Sequence, residues 1–320
     1  MDGVLALVIG LAGGLILTPT ARRAALALDI VDRPGELKTQ RVPIAYLGGI
    51  AVALAAASGP LLAGRALVLI PMGAALTLGL ADDVRPLAVP FRIIVELGIA
   101  TTCAFVVPGP PLARVATGLL VLGLLNAVNL LDGQDGLAAG AGLVISAGFA
   151  VLGGAAAPVG LGLAGALLGF LSLNRPPARI YLGDAGAYFV GTTIALLPAL
   201  SRHGATRWSI WWAVPLLVAV PVADTAIAIL RRLRARRPLL SGDRSHVYDQ
   251  LVDRGMSISQ STLTCVAGQL VLSGIGLVAT RSTPTVAIAI TLTTAVLVAA
   301  LAWRIGLIET SSGSGAARSG

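Results

Sequence analysis

Polar positions in this chain are confined to short islands between long apolar runs. Residues 136–174 carry no charged side chain, and neither do residues 255–280 or 282–303. A membrane-spanning helix takes about 20 mostly apolar residues, so the first run holds two spans and each of the others one. None of these runs alternates with the period of two that a β-barrel strand requires. The pattern predicts an all-α integral membrane protein, a polytopic bundle of about 11 transmembrane helices. The expected spans are near 4–20, 44–63, 66–81, 91–107, 111–131, 138–154, 157–174, 183–200, 210–230, 261–280 and 284–305. Residues 1–308 are expected to form one transmembrane domain, and the Ser/Gly-rich stretch 309–320 a disordered cytoplasmic tail. The first apolar segment has no basic flank ahead of it and is followed by Arg22 and Arg23. It reads as a retained span with its N-terminus outside.

Composition agrees with this class. Only 12% of the residues are charged and 56% are hydrophobic, against about 25% charged in soluble proteins. Abundant Gly and Ala suit close helix packing in lipid. The formal net charge of +8 is a matter of topology rather than nucleic-acid binding. The loops at 21–43, 82–92, 132–137, 174–182 and 231–260, with the tail, hold 18 of the 23 Lys and Arg. The positive-inside rule makes that set cytoplasmic. It places 14 of the 15 acidic residues on the same side, with only Asp2 outside. Acids at one membrane face point to a site that meets a water-soluble substrate and a lipid headgroup together. A secondary transporter would place ionisable groups near the midplane instead. Cys103 and Cys265 sit in apolar stretches and imply neither a disulfide nor a metal site.

The acids are ordered along the chain. Asp82-Asp83 closes the third span; adjacent carboxylates repel unless a cation neutralises them, and hard oxygen donors of this kind suit Mg²⁺. The alternative is a solvated helix end. Asn126, Asn129, Asp132 and Asp135 recur every three residues from an apolar span into a turn opened by Gly133 and Gly136. Amides within lipid need partners, so this segment reads as polar groups converging on the cytoplasmic surface, or else as interhelical bonding followed by a glycine turn. In the next cytoplasmic turn Pro176 and Pro177 interrupt helix, and Asp184 starts the eighth span, where it can cap the helix or hold an anion's metal at a helix N-terminus. The last large loop runs from Asp224 through Arg231–Arg237 to His246. Its arginines anchor topology or hold phosphate.

In this order the motifs resemble the polyprenyl-phosphate N-acetylhexosamine-1-phosphate transferase family. The match runs from about Asp32 to Gly255, and the pattern NxxNxxDGxDGLAxG is complete from Asn126 to Gly140. The resemblance implies that a polyprenyl phosphate (undecaprenyl or decaprenyl) attacks a UDP-N-acetylhexosamine at the cytoplasmic face of the inner membrane, releasing UMP and starting a cell-envelope glycan. It implies catalytic roles for Asp82, Asp83, Asp184 and His246, with Mg²⁺ (Mn²⁺ substituting) on Asp184 and Asp83. It assigns Asn126, Asn129, Asp132, Asp135, Asn174 and Tyr181 to the nucleotide side, with Lys38 and Arg244 near the phosphates. The bilayer is the expected partner, a homodimer is compatible with it, and no nucleic acid is expected.

The chain departs from the family at three places. Gln40 stands where a histidine is often found, Ala45 replaces a proline, and the His-x-His-His signature becomes His246-Val247-Tyr248-Asp249. The last change disfavours the pentapeptide-sugar branch and makes UDP-N-acetylglucosamine the expected donor. Competing readings are a transporter of a phosphorylated solute, an inactive family member, and an intramembrane aromatic prenyltransferase. The last needs an Asp-x-x-x-Asp spacing that Asp82-Asp83-Val84-Arg85-Pro86 lacks.

Overall fold

The computed structural model describes residues 1–33, 42–204, 206–236 and 246–308. Lys38, Arg244 and the tail 309–320 lie outside the described residues. The chain is an all-α polytopic membrane protein. In order its helices are α1 (Asp2–Ala27), α2 (Gly48–Ala56), α3 (Ser58–Leu62), α4 (Leu69–Val84), α5 (Val89–Val106), α6 (Pro111–Leu131), α7 (Leu137–Ala150), α8 (Ala156–Asn174), α9 (Gly183–Leu200), α10 (Trp208–Leu217), α11 (Ala219–Arg234), α12 (Val247–Asp253), α13 (Ile258–Thr280) and α14 (Pro284–Arg304). Two short strands, β1 (Val31–Asp32) and β2 (Ile44–Ala45), pair antiparallel.

Among the described residues, seven helices are long and apolar enough to cross a membrane: α1, α4 with the 3-10 turn before it, α5, α6, α8, α13 and α14. Most of each expected span is helical, but the 44–63 stretch opens on β2, the 138–154 stretch leaves helix after Ala150, and two spans are interrupted. The 44–63 stretch divides at Ala57 into α2 and α3, and the 210–230 stretch divides at Val218 into α10 and α11, bent by 67°. Pro221 accounts for part of the second break, because it has no N–H to give the Leu217 carbonyl four residues earlier. A broken helix exposes backbone groups that lipid cannot satisfy. Here the fully buried Gln269 of α13 satisfies them. Its Nε2 donates to the Leu217 carbonyl at 2.9 Å, and its Oε1 accepts from the Val220 amide at 2.9 Å.

The centre of the bundle is α9, buried at every residue from Ala185 to Leu200. It packs between α4 and α6, with α2, α7 and α8 around it. Small residues allow this closeness. A Cβ on Gly49 of α2 would overlap the backbone nitrogen of Gly186. α1 and α8 cross in the same way through Gly10, Gly14, Gly165 and Gly169. Glu96 is an exception to the rule that acids lie at helix ends. It sits two turns into α5 and is buried.

Replacing Gln269 by Leu should leave the Val220 amide unpaired and the Leu217 carbonyl with only the 3.5 Å bond from Ser273 Oγ. The expected loss is about 2–4 kcal/mol of stability, read as a lower melting temperature in detergent. An unchanged melting temperature would contradict the role assigned to Gln269.

Candidate active site

The site is built around the start of α9. Residues before it run extended against β2: Ile180 bridges Ala45 in parallel, and the Tyr181 amide donates to the Ala45 carbonyl at 2.9 Å. The Gly48 and Gly49 amides return to the Tyr181 and Leu182 carbonyls at 3.1 and 2.9 Å. Gly183, at φ +72°, then turns the chain into the helix. The first amides of α9 are taken by acids from elsewhere. Gly183 N–H donates to Asp132 Oδ2 at 3.2 Å, Asp184 N–H to Asp83 Oδ1 at 2.9 Å, and Ala185 N–H to Asp83 Oδ2 at 3.0 Å. Negative groups are favoured there by the helix dipole. Asp184 itself lies in the first turn and is not the cap.

The second aspartate of the expected pair is therefore a clasp between α4 and α9. The first, Asp82, is buried and accepts from the Leu87 amide at 2.7 Å and from Arg92 Nη1 at 3.0 Å. It is not the solvated helix end that an isolated Asp-Asp pair suggests. The Asp82 and Asp184 carboxyls are near enough to interact. Burial first, then the neighbouring Asp184 and Asp83 charges, push Asp132 well above the usual carboxylate range, against the pull of the Gly183 amide. Interacting carboxyl groups favour a shared proton or cation. The cluster holds Asp82, Asp83, Asp132 and Asp184, and the Arg92 guanidinium bonds only one of them, Asp82.

The donor set fits Mg²⁺. No three acid, histidine or cysteine side chains among the described residues form a metal cage by themselves. Mg²⁺ does not ask for one, since it uses one or two carboxylates together with waters and substrate phosphates.

The other expected site residues surround this cluster at different depths. Asp135 accepts from the Ala178 amide at 2.9 Å, tying the α6–α7 turn to the segment before α9; burial raises its carboxyl against that bond. Asn174 is buried and donates to the Ile180 carbonyl at 2.9 Å, a loop clasp. Tyr181 is half-buried and meets Tyr46 edge to face at 6.2 Å. Burial, then the charges of Asp135, Asp32 and Asp132, push the Tyr181 hydroxyl up. Asn129 lies one turn before Asp132 on α6, partly buried. Asn126 lies a further turn into the bundle. It donates to Glu96 Oε2 at 2.8 Å and to the Leu122 carbonyl at 3.1 Å, so its amide joins α6 to α5. His246 is buried at the start of α12, hydrogen-bonded to Asp224.

Sequence reasoning assigned no role to Arg92, Glu96, Tyr46 or Tyr188. Arg92 and Glu96 are charges inside an apolar run, and that rarity is itself a signal. Tyr46 and Tyr188 carry no such mark; Tyr188 is one turn after Asp184 and wholly buried.

Comparison with known proteins matches residues 66–201 to the family described as glycosyl transferase family 4. The chain is 33% identical to the probable undecaprenyl-phosphate N-acetylglucosaminyl 1-phosphate transferase of Bacillus subtilis, over 81% of this chain and 80% of that protein. It is 30% identical to the decaprenyl-phosphate N-acetylglucosaminephosphotransferase of Mycolicibacterium smegmatis, over 77% and 74%. A phospho-N-acetylmuramoyl-pentapeptide-transferase of Heliobacterium modesticaldum is 40% identical, but over only 35% of each chain.

The Asp82–Arg92 pair is open to a double-mutant cycle. Arg92→Gln alone leaves a buried carboxylate with one backbone partner and should cost up to about 3 kcal/mol. With Asp82→Asn added, the loss should be smaller than the sum of the single losses by about 1–2 kcal/mol. Strictly additive losses in thermal unfolding would show that the pair does not act as a unit.

Proposed function

The chain belongs to glycosyl transferase family 4, the polyprenyl-phosphate N-acetylhexosamine-1-phosphate transferases, and from that premise we propose that it transfers a sugar-1-phosphate from a UDP-N-acetylhexosamine to a polyprenyl phosphate. UMP leaves, and the polyprenyl-diphosphate sugar remains in the membrane as the first unit of an envelope glycan. N-acetylglucosamine is the sugar we assign. It is the sugar in the names of the relatives matched over most of their length, and the loop at His246 lacks the pentapeptide branch's histidines. The observation that carries the reading is the meeting of acids from α4, the α6–α7 turn and α9 at one helix end.

In this reaction an oxygen of the prenyl phosphate forms a bond to the sugar-bearing phosphorus, and the bond from that phosphorus to the UMP oxygen breaks. Such transfers depend on alignment and on balancing the charge that develops. The second pKa of a phosphate monoester is about 6, so the nucleophile is largely dianionic at neutral pH without a base. Asp82 and Asp83 orient the acceptor rather than attack the phosphorus themselves. Direct attack by the lipid phosphate is favoured because each Asp83 oxygen accepts an α9 amide and each Asp82 oxygen accepts from Leu87 or Arg92. An aspartyl-phosphate intermediate would have to give up those bonds. Asp184 and Asp83 are the residues we assign to Mg²⁺, with Mn²⁺ able to replace it. When bound, the ion neutralises the diphosphate. Asn129, Asp132, Asp135, Asn174 and Tyr181 face the nucleotide side, while Lys38, Arg244 and His246 offset phosphate charge. By the positive-inside rule we assign this face to the cytoplasm and the N-terminus to the outside, and we place the protein in the inner membrane.

Purified protein in detergent should release UMP from UDP-N-acetylglucosamine only with both undecaprenyl phosphate and Mg²⁺. EDTA should stop the reaction and excess Mg²⁺ restore it. Asp184→Asn should lower the rate at least about a hundredfold. UMP release that continues without lipid or metal would refute the assignment.

A further inference from the structure

Asp224 lies six residues into α11, 2% exposed, and His246 stands just before α12, 5% exposed. The two are far apart in sequence, yet His246 Nδ1 sits 2.7 Å from Asp224 Oδ2. The other oxygen, Oδ1, accepts from the Val247 amide at 2.7 Å. One carboxylate therefore holds both the imidazole and the backbone at the entry to α12. An ionised carboxylate only accepts hydrogen bonds, so the ring nitrogen facing it carries the proton. The Asp249 amide also meets the His246 side chain in the capping box that opens α12, and no hydrogen bond to Nε2 is seen among the described residues.

A second contact fixes the plane of the ring. Tyr248 stacks on His246 with ring centres 5.4 Å apart and planes 6° from parallel. The Tyr248 hydroxyl donates to the Leu130 carbonyl at 3.1 Å, two residues before Asp132. Gly133 makes room for it, since a Cβ there would overlap that hydroxyl. The imidazole is thus braced against the same α6–α7 turn that supplies Asp132 and Asp135. The residue that replaces a histidine of the family signature has become the brace.

We infer that Asp224 is a positioning residue: it accepts the Nδ1 proton of His246 and so leaves Nε2 to the substrate, where the protonated ring donates to a phosphate oxygen of the donor or of departing UMP, with Tyr248 keeping the ring in plane. This rests on the transferase reading above. A second-sphere carboxylate of this type fixes tautomer and orientation without touching the substrate, as behind metal-bound histidines.

The chain has 2 histidines, so ring-¹⁵N histidine labelling reports on His203 and His246 alone, and His203→Gln assigns them. With the ring neutral, the His246 spectrum should be that of the Nδ1–H tautomer, and Asp224→Asn should shift it toward Nε2–H while His203 is unchanged. Asp224→Glu keeps an anionic acceptor and should retain the wild-type tautomer, which covers the case in which the Asn variant fails to fold. In turnover, Asp224→Asn should lower kcat about 10–100-fold with little change in KM for the UDP-sugar. It should add no further loss in a His246→Gln background. A His246 tautomer that ignores Asp224, or a full additional loss in that background, would overturn the inference. A wild-type protein that releases no UMP would refute the transferase reading instead, and the tautomer measurement would still decide what Asp224 does.

Discussion

The first amides of α9 are the point on which this structure turns. A helix buried along nearly its whole length relies on the protein for acceptors to its first N–H groups. They are met by Asp83, from the end of α4, and by Asp132, from the end of α6. Those are the two helices that flank α9 in the bundle. Packing and polar satisfaction are therefore solved at the same place, and the fold's central helix cannot be seated without gathering carboxylates at its tip. The site is a consequence of how the core closes.

That solution has a chemical cost. A bare helix N-terminus is a ready anion site, but here the amides of residues 183–185 already serve the protein's own acids. A phosphate arriving at this face meets carboxylates rather than a free helix dipole. The arrangement makes sense if a divalent cation stands between the acids and the diphosphate, which is the proposal made for Asp184 and Asp83. The surrounding clasps keep the acids in register: Asp135 to Ala178, Asn174 to Ile180, and Tyr181 to Ala45 each tie the segment before α9 to another part of the chain.

Much of this was legible in the sequence, and the parts that were not share a physical reason. The apolar runs located the helices because lipid imposes length and composition on each segment separately. The run from Asn126 to Gly140 located the polar turn because its spacing is local. Partners across helices depend on packing, which no local pattern encodes. Asp83 reads as half of an adjacent pair, yet its partners lie about a hundred residues away at Asp184 and Ala185. Asn126 reads as part of the nucleotide site, yet it bonds Glu96. Asp224 and His246 were each visible, but nothing in the loop between them shows that they meet. The break at Val218 was hidden because Gln269, the residue that makes it tolerable, lies on α13.

The central claim is that the acids at the tip of α9 together form a divalent-cation site for phosphoryl transfer. The most direct test is Mn²⁺ binding to the purified full chain, followed by electron paramagnetic resonance, in wild type, Asp184→Asn and Asp83→Asn. The account predicts saturable binding in wild type that tightens when UDP-N-acetylglucosamine is added and is lost in Asp184→Asn while the protein stays folded. Mn²⁺ binding that is unchanged in a folded Asp184→Asn would contradict it.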